Sequence, residues 1–384
     1  MTNNLLGGLS PEIFLKKYWQ KKPLLIRNAF PNFKSPLTKK DFLDFACNED
    51  VASRLVIERG GDYDWQVIHG PLKKKQVKSL PETHWTILLQ EMNSHHAEVA
   101  KLLNYFSFIP NWRVDDIMIS YAVKEGSVGP HTDNYDVFLL QGSGRRKWKI
   151  NHTPVEDEQL IENLDLRILE YFSTDEEWIL EPGDMLYLPP KIAHYGISMD
   201  DDCMTYSVGF RTPSMKELLV GYASHLMEYV QDNAFYEDPD LKLQNHSGEI
   251  QSEAITEMQK LFKGMTSNRD MFESWLGRFV TESKRGFFRE MEKPQTEIQI
   301  GKKIEKGATL IRHGSTKISY LKSETCIKLF VNGGELELPL KAEKFIQTVT
   351  SKPEIENSVL QKMWKKKDEK EMVVELLNLG YFGL

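Results

Sequence analysis

The sequence predicts an α+β protein built around a β-sandwich or barrel, with helices before it and a mixed helix-and-strand region after it. Three observations predict this. Residues 116–211 carry short apolar strands separated by Gly, Pro and Asp turns, which is the pattern of a sandwich or barrel. Past Pro213 the apolar residues fall near helical spacing, at Leu218, Leu219, Tyr222, Leu226 and Tyr229. Past Pro294 the chain changes again, to short strands and helices. A chain of 384 residues is too long for one ordinary domain. The expected units are therefore 1–213 (core 95–213), 214–295 and 296–384.

The elements follow in order. Ser10-Pro11 supplies an N-cap and a first-turn proline ahead of the apolar face Ile13, Phe14, Tyr18 and Trp19. Leu24-Leu25-Ile26 reads as a short buried strand, and Thr38-Lys39-Lys40-Asp41 as a second helix start. Residues 51–80 mix short strands with turns at Gly60-Gly61 and His69-Gly70-Pro71. A helix is expected over 83–104, and a strand over 116–121. Two helices are expected over 249–264 and 268–280. Residues 317–321 and 327–331 read as paired strands, and Asn332-Gly333-Gly334 turns the chain into Glu335-Leu336-Glu337-Leu338. A last amphipathic helix covers 368–379.

Composition excludes several classes. The formal net charge of −7 argues against a general grip on nucleic acid and tolerates a basic protein partner. Lys362, Lys365, Lys366, Lys367 and Lys370 cluster, but Asp368, Glu369 and Glu371 interrupt them, as on a solvated helix face. Cys47, Cys203 and Cys326 are too few and too scattered for a disulfide framework or a cysteine zinc site, and fit a reducing compartment. The first nine residues lack a basic n-region and an apolar h-region. No stretch approaches the roughly 20 apolar residues that span a bilayer. The expectation is a cytoplasmic protein without a membrane partner.

The chemistry concentrates on four residues. On an extended strand, positions i and i+2 share a face, so His131 and Asp133 can grip one ion. A third ligand from a distant strand would leave open positions, the two-histidine, one-carboxylate pattern of non-haem Fe(II) oxygenases. Pro182-Gly183-Asp184 is a tight turn, and Pro189-Pro190 ends the next strand and leads to His194. His194 is that third ligand, or a satisfied core histidine. In the strand beginning at residue 145, Arg146, Trp148 and Ile150 share one face, while Arg145, Lys147 and Lys149 share the other. An arginine on the apolar face needs an anionic partner: a dicarboxylate cosubstrate, or a structural carboxylate at the strand end. His95-His96 point about 100° apart on a helix and cannot clamp one ion. The remaining histidines have no ligand-spaced partner.

The runs His131-Thr132-Asp133-Asn134-Tyr135-Asp136-Val137-Phe138, Gln141-Gly142-Ser143-Gly144-Arg145-Arg146 and Glu181-Pro182-Gly183-Asp184 through to His194 resemble the JmjC branch of the cupin 2-oxoglutarate oxygenases. Tyr18-Trp19-Gln20-Lys21-Lys22-Pro23 and Tyr206-Ser207-Val208-Gly209-Phe210-Arg211 add to the match. Within that branch the chain is similar to the bacterial ribosomal oxygenases that hydroxylate an arginine of a large-subunit ribosomal protein. The resemblance covers nearly the whole chain. It implies a double-stranded β-helix (jelly-roll) barrel with N-terminal helices, then a helical dimerisation segment and a winged-helix-like C-terminal domain. It implies Fe(II) on His131, Asp133 and His194, and 2-oxoglutarate held at its distal carboxylate by Arg146 and Ser120. Thr205 is a candidate for the pocket wall. Asp116, Tyr135, Asp136 and Tyr206 are candidates for acidic and aromatic walls around a cationic side chain. The partners implied are a large-subunit ribosomal protein and a second copy of the chain. Three other readings share the metal residues: a JmjC lysine demethylase, a cupin metalloenzyme without 2-oxoglutarate, and a binding protein with a structural metal. Loss of a methyl group, or activity that ignores Arg146, would mark the first two. The absence of a fourth protein ligand argues against the third.

Overall fold

Alternating burial along a few strands builds the centre of the molecule. The structure, a computed structural model, describes residues 5–58, 65–231, 233–283 and 294–384. The turn expected at Gly60-Gly61 lies outside them. The strands of the N-terminal region are β1 (Leu24–Ile26), β2 (Ser53–Glu58), β3 (Trp65–His69), β4 (Trp85–Leu89), β5 (Val114–Ala122) and β6 (Asp136–Ser143). They continue as β7 (Arg146–Pro154), β8 (Glu176–Leu180), β9 (Met185–Leu188), β10 (Ile192–Ser198) and β11 (Cys203–Phe210). One antiparallel sheet has the order β1-β9-β6-β11-β5-β4-β2-β3, and a smaller one the order β10-β7-β8.

The two sheets face each other. On β6, Val137 and Leu139 point to the small sheet and pack with Trp148, Ile150, Leu180 and Ile192. Phe138 and Leu140 point the other way, into a core with Phe14, Phe42 and Phe106 from the N-terminal helices. On β9, Leu186 and Leu188 join the first group, Met185 and Tyr187 the second. A large sheet covered on both faces explains why its strands read as continuous apolar runs. Each fully buried Leu or Phe contributes roughly 1.5–3 kcal/mol. This is the jelly-roll barrel that the family resemblance implies.

Ser10 caps the helix Pro11–Lys17, and a Thr38–Asp41 capping box opens the helix Lys39–Ala46. The expectation of a helix over 83–104 needs correction. Trp85–Leu89 is a strand, fully buried between β2 and β5; helix begins only at Met92–His95 and Ala97–Ala100, with a 3-10 turn at Lys101–Phe106. A strand buried on both faces lacks the polar stripe that separates the two patterns in a short apolar run.

Past the barrel come the helices Met215–Met227, Ser252–Thr266 and Arg269–Thr281. The C-terminal strands are β12 (Leu310–Arg312), β13 (Ile318–Lys322), β14 (Cys326–Val331), β15 (Gly334–Pro339), β16 (Glu354–Ile355) and β17 (Phe382–Gly383). β13-β14-β15 form one antiparallel sheet and β16-β12-β17 another. Asn332 and Gly333 both have positive φ, 46° and 83°, as a tight two-residue hairpin turn requires. Helices including Glu343–Ser351, Asn357–Trp364 and Lys367–Asn378 enclose a second core around Leu329, Phe345, Leu360 and Leu377. Among the clustered lysines, Lys366 pairs with Glu369 and Lys370 with Glu297, while Asp368 pairs with Lys341. Two of the five clustered lysines are thus paired within the chain. The C-terminal region is tied to the barrel by Asn93, which donates to the Gly314 carbonyl at 2.8 Å, and by Asn111, which donates to Thr350 at 2.6 Å.

Candidate metal centre

His131 and His194 are brought together by the backbone. Their amides and carbonyls exchange hydrogen bonds of 3.0 and 2.9 Å, an isolated antiparallel bridge across the barrel mouth. His194 lies on β10 with its side chain inward, on the face it shares with Gly196 and Ser198. Gly196 is required there: a Cβ would lie 2.6 Å from the Trp148 ring, which packs beside His194 at a centroid distance of 5.8 Å.

Both rings are oriented the same way. Nδ1 of His131 lies 2.9 Å from the Gly129 carbonyl, and Nδ1 of His194 lies 2.9 Å from the Ile192 carbonyl. A carbonyl only accepts, so each Nδ1 carries the proton and each Nε2 keeps a lone pair. The rings sit 4.2 Å apart, and His194 Nε2 is 3.6 Å from an Asp133 carboxylate oxygen. One ligand atom from each of His131, Asp133 and His194 lies within 4.8 Å of the others, the sole such cluster among the described residues. Two neutral imidazoles and one carboxylate suit a divalent first-row metal with open positions. Elsewhere, His69 pairs with Asp165 at 2.7 Å and His152 with Glu176 at 3.0 Å.

Burial, and then the neighbouring His131, hold the His194 pKa down to about 4 against a pull upward from Asp133. The unfolded chain then binds a proton that the folded chain refuses between about 6.5 and 4. Stability from this group is full above pH 6.5 and is lost as pH falls toward 4. The metal-free protein should therefore melt at lower temperature as pH drops from 6.5 to 5. Thermal scans of a His194→Gln variant should show a shallower dependence; an unchanged slope would contradict this.

The three ligands open onto a cavity of about 220 Å³. Arg146 lines it and is 3% exposed, and its Nε and Nη2 have no hydrogen-bond partner among the described residues. The centre of the Trp148 ring lies 5.8 Å from its guanidinium carbon. An unanswered buried guanidinium is costly, and its planar fork matches a carboxylate. No structural carboxylate partner is present among the described residues, so of the two readings open in the sequence the anion anchor fits. Across the large sheet Leu88, Ser120, Thr205 and Gln141 stand in register, and Ser120 and Thr205 line the same cavity.

Of the four wall candidates, only Tyr135 takes the expected place. Tyr135 lines the cavity, and Asp133 beside it, with burial, pushes its phenol well above the usual range. Asp136 and Tyr206 do not line it. Val137, Leu139, Thr205 and Ser207 face the cavity, so their strand neighbours face the opposite core. There Asp136 accepts from Tyr187 at 2.6 Å and from Gln20 at 3.0 Å, and the Tyr206 hydroxyl meets Ser35 at 2.8 Å. Asp116 accepts from the Glu91 amide at 3.0 Å, outside the cavity.

Sequence reasoning missed the segment between β7 and β8. Leu169 donates to the Pro130 carbonyl at 2.8 Å, and Ile168 packs on Gly129, where φ is +79° and any Cβ would meet it at 2.7 Å. Thr132, between the two ligands, donates to Glu158, which pairs with Arg167. Leu166 and Arg167 thereby become part of the cavity wall.

Comparison with known proteins extends this picture. Residues 101–218 match the JmjC domain family, and residues 263–383 match the ROXA-like winged helix family. The chain is 33% identical to an Escherichia coli protein named ribosomal protein uL16 3-hydroxylase, over 85% of each chain. It is 33% identical to a probable ribosomal oxygenase of Haemophilus influenzae, over 96% of this chain and 93% of that one. A solved structure of YcfD, an Escherichia coli ribosomal oxygenase in complex with cobalt and 2-oxoglutarate, is 30% identical, covers 98% of each chain and has a TM-score of 0.84. A complex of YcfD with cobalt and succinic acid is 29% identical over 98% of each chain, with a TM-score of 0.83.

Proposed function

The chain belongs to the ribosomal oxygenase family, with a JmjC domain followed by a ROXA-like winged helix, and from that premise we propose that it is an Fe(II)- and 2-oxoglutarate-dependent hydroxylase of a ribosomal protein. The observation that carries this reading is one cavity lined by three ligand-type side chains and by a buried guanidinium with two unpartnered nitrogens.

His131, Asp133 and His194 would hold the iron, their tautomers fixed by the Gly129 and Ile192 carbonyls. When bound, iron with 2-oxoglutarate and dioxygen supplies the oxidation that puts one oxygen atom into a C–H bond, releasing succinate and carbon dioxide. Arg146 binds and orients the distal carboxylate of the cosubstrate, with Ser120 donating to the same group from the facing sheet. Val137, Leu139 and Trp148 keep that end dry, which strengthens the ion pair. Tyr135, beside Asp133, stays protonated as a donor.

The substrate is proposed to be the large-subunit protein uL16, and the target an arginine side chain. Support comes from the uL16 hydroxylase at 33% identity and from the acidic balance of this chain, which suits a basic partner. The test is incubation with Fe(II), 2-oxoglutarate and purified uL16, followed by tandem mass spectrometry. One added oxygen on an arginine supports the reading. Loss of a methyl group would indicate a demethylase, and an oxygen on another residue type would refute the arginine assignment.

The division into 1–213, 214–295 and 296–384 is proposed to be functional as well, with the middle segment making a homodimer. Ile255, Met258, Phe262 and Met265 form a stripe on the helix Ser252–Thr266, and Phe262 is 68% exposed. Leu219, on the helix Met215–Met227, is 72% exposed. Leu219→Asp with Phe262→Asp should convert a dimer into a monomer by light scattering; an unchanged mass would refute this interface. No helix among the described residues is long and apolar enough to cross a membrane, in keeping with a proposed place in the cytoplasm beside the ribosome.

A further inference from the structure

A second guanidinium borders the cavity, and the chemistry above gives it no task. Arg54 lies on β2, is half-buried, and lines the cavity together with Gln90 and Tyr135. Among the described residues it makes no hydrogen bond and no ion pair. Burial lowers its pKa, and the nearby Asp165 carboxylate pulls it back up.

The sheet register separates it from the cosubstrate end. Arg54, Leu88, Ser120, Thr205 and Gln141 stand in one cross-strand row. Gln141 donates to the Gly144 carbonyl at 3.1 Å, in the turn leading to Arg146. Two strand spacings, roughly 10 Å, separate Arg54 from Ser120, the residue of that row proposed to meet the cosubstrate. The same cavity is lined by Tyr135, next to the ligand Asp133, and by Leu166 and Arg167 of the segment between β7 and β8.

A guanidinium offers five donors and no acceptor. A basic polypeptide presents it with mostly repulsive side chains, so what it can hold is an acceptor oxygen. We propose that Arg54 is a specificity-determining residue that binds acceptor oxygens of the substrate polypeptide beside the residue to be hydroxylated, whether main-chain carbonyl or side-chain carboxylate. The inference rests on the protein-hydroxylase reading and adds to it how the enzyme holds the chain around its target. It also gives a role to a partly desolvated cation in the cavity wall.

The test is steady-state kinetics of wild type, Arg54→Met and Arg54→Lys with full-length uL16, each variant first checked for an unshifted melting temperature. Losing a charge-assisted hydrogen bond should raise KM for uL16 in Arg54→Met by about tenfold or more, with a smaller change in kcat. Arg54→Lys should recover part of the loss. Replacing each Asp and Glu near the modified residue of uL16 by its amide separates the two sources. An Arg54 effect that persists assigns a carbonyl, and one that vanishes assigns a carboxylate. An unchanged KM for uL16 in Arg54→Met overturns the inference, as does an equal rise in KM for 2-oxoglutarate. A melting temperature lowered in both variants makes Arg54 structural and also overturns it. Wild type that leaves uL16 unmodified overturns the underlying reading instead.

Discussion

Asp133→Ala is expected to abolish hydroxylation while leaving the fold intact. Its carboxylate is partly exposed at the cavity rather than packed in the core, and it is the single anionic member of the ligand set. Removing it leaves two imidazoles whose Nε2 atoms cannot balance a divalent charge. Outer-sphere partners of metal ligands already cost 10–100-fold when removed, so loss of a ligand should weaken Co(II) binding by roughly 100-fold or more. Calorimetric titration with Co(II) reads this independently of turnover. Activity within tenfold of wild type, or metal affinity unchanged, would contradict the assignment. The melting temperature of the metal-free variant should stay close to wild type, because Asp133 contributes no buried apolar area.

Arg146→Met is expected to produce two effects of opposite sign. Its Nε and Nη2 are buried without partners, a desolvation cost carried by the cosubstrate-free protein. Methionine fills a similar volume without that cost, so the free variant should gain about 1–3 kcal/mol and melt a few degrees higher. At the same time the distal carboxylate of 2-oxoglutarate would enter an apolar site with no counter-charge. Breaking a buried pair in this way costs about 3–5 kcal/mol, so KM for 2-oxoglutarate should rise by roughly 100-fold or more. Added 2-oxoglutarate should raise the melting temperature of the metal-loaded wild type and leave that of the variant unchanged. A variant that is both less stable and still active would mean that Arg146 answers a structural carboxylate instead.

These effects depend on features that the sequence discloses unevenly. The ligand pair was legible because His131 and Asp133 stand two apart on extended chain, and Arg146 because polar and apolar residues alternate cleanly along β7. A sandwich or barrel was legible from turn residues between apolar runs, its jelly-roll form only through the family resemblance, and the hairpin from Asn332-Gly333. β4 was not legible, because Trp85–Leu89 is buried on both faces and its five residues carry no polar stripe to distinguish strand from helix. Asp136 and Tyr206 were open to correction from the sequence. Once Val137 and Thr205 are placed on the inner faces of β6 and β11, alternation sends their neighbours to the opposite core. Arg54 carries no local signal, since β2 reaches the cavity only by joining the sheet beside β4. The wall at Leu166 and Arg167 depends on the carbonyl of Pro130 and the space above Gly129, tertiary contacts that no spacing announces.

Diffraction from crystals grown with Co(II) and 2-oxoglutarate locates the metal by its anomalous signal and the dicarboxylate by its electron density. The predicted result is one strong cobalt peak bonded to Nε2 of His131, Nε2 of His194 and a carboxylate oxygen of Asp133. The distal carboxylate of 2-oxoglutarate should meet the Nε and Nη2 atoms of Arg146. A peak elsewhere, a fourth protein ligand closing the site, or a dicarboxylate turned away from Arg146 would contradict it.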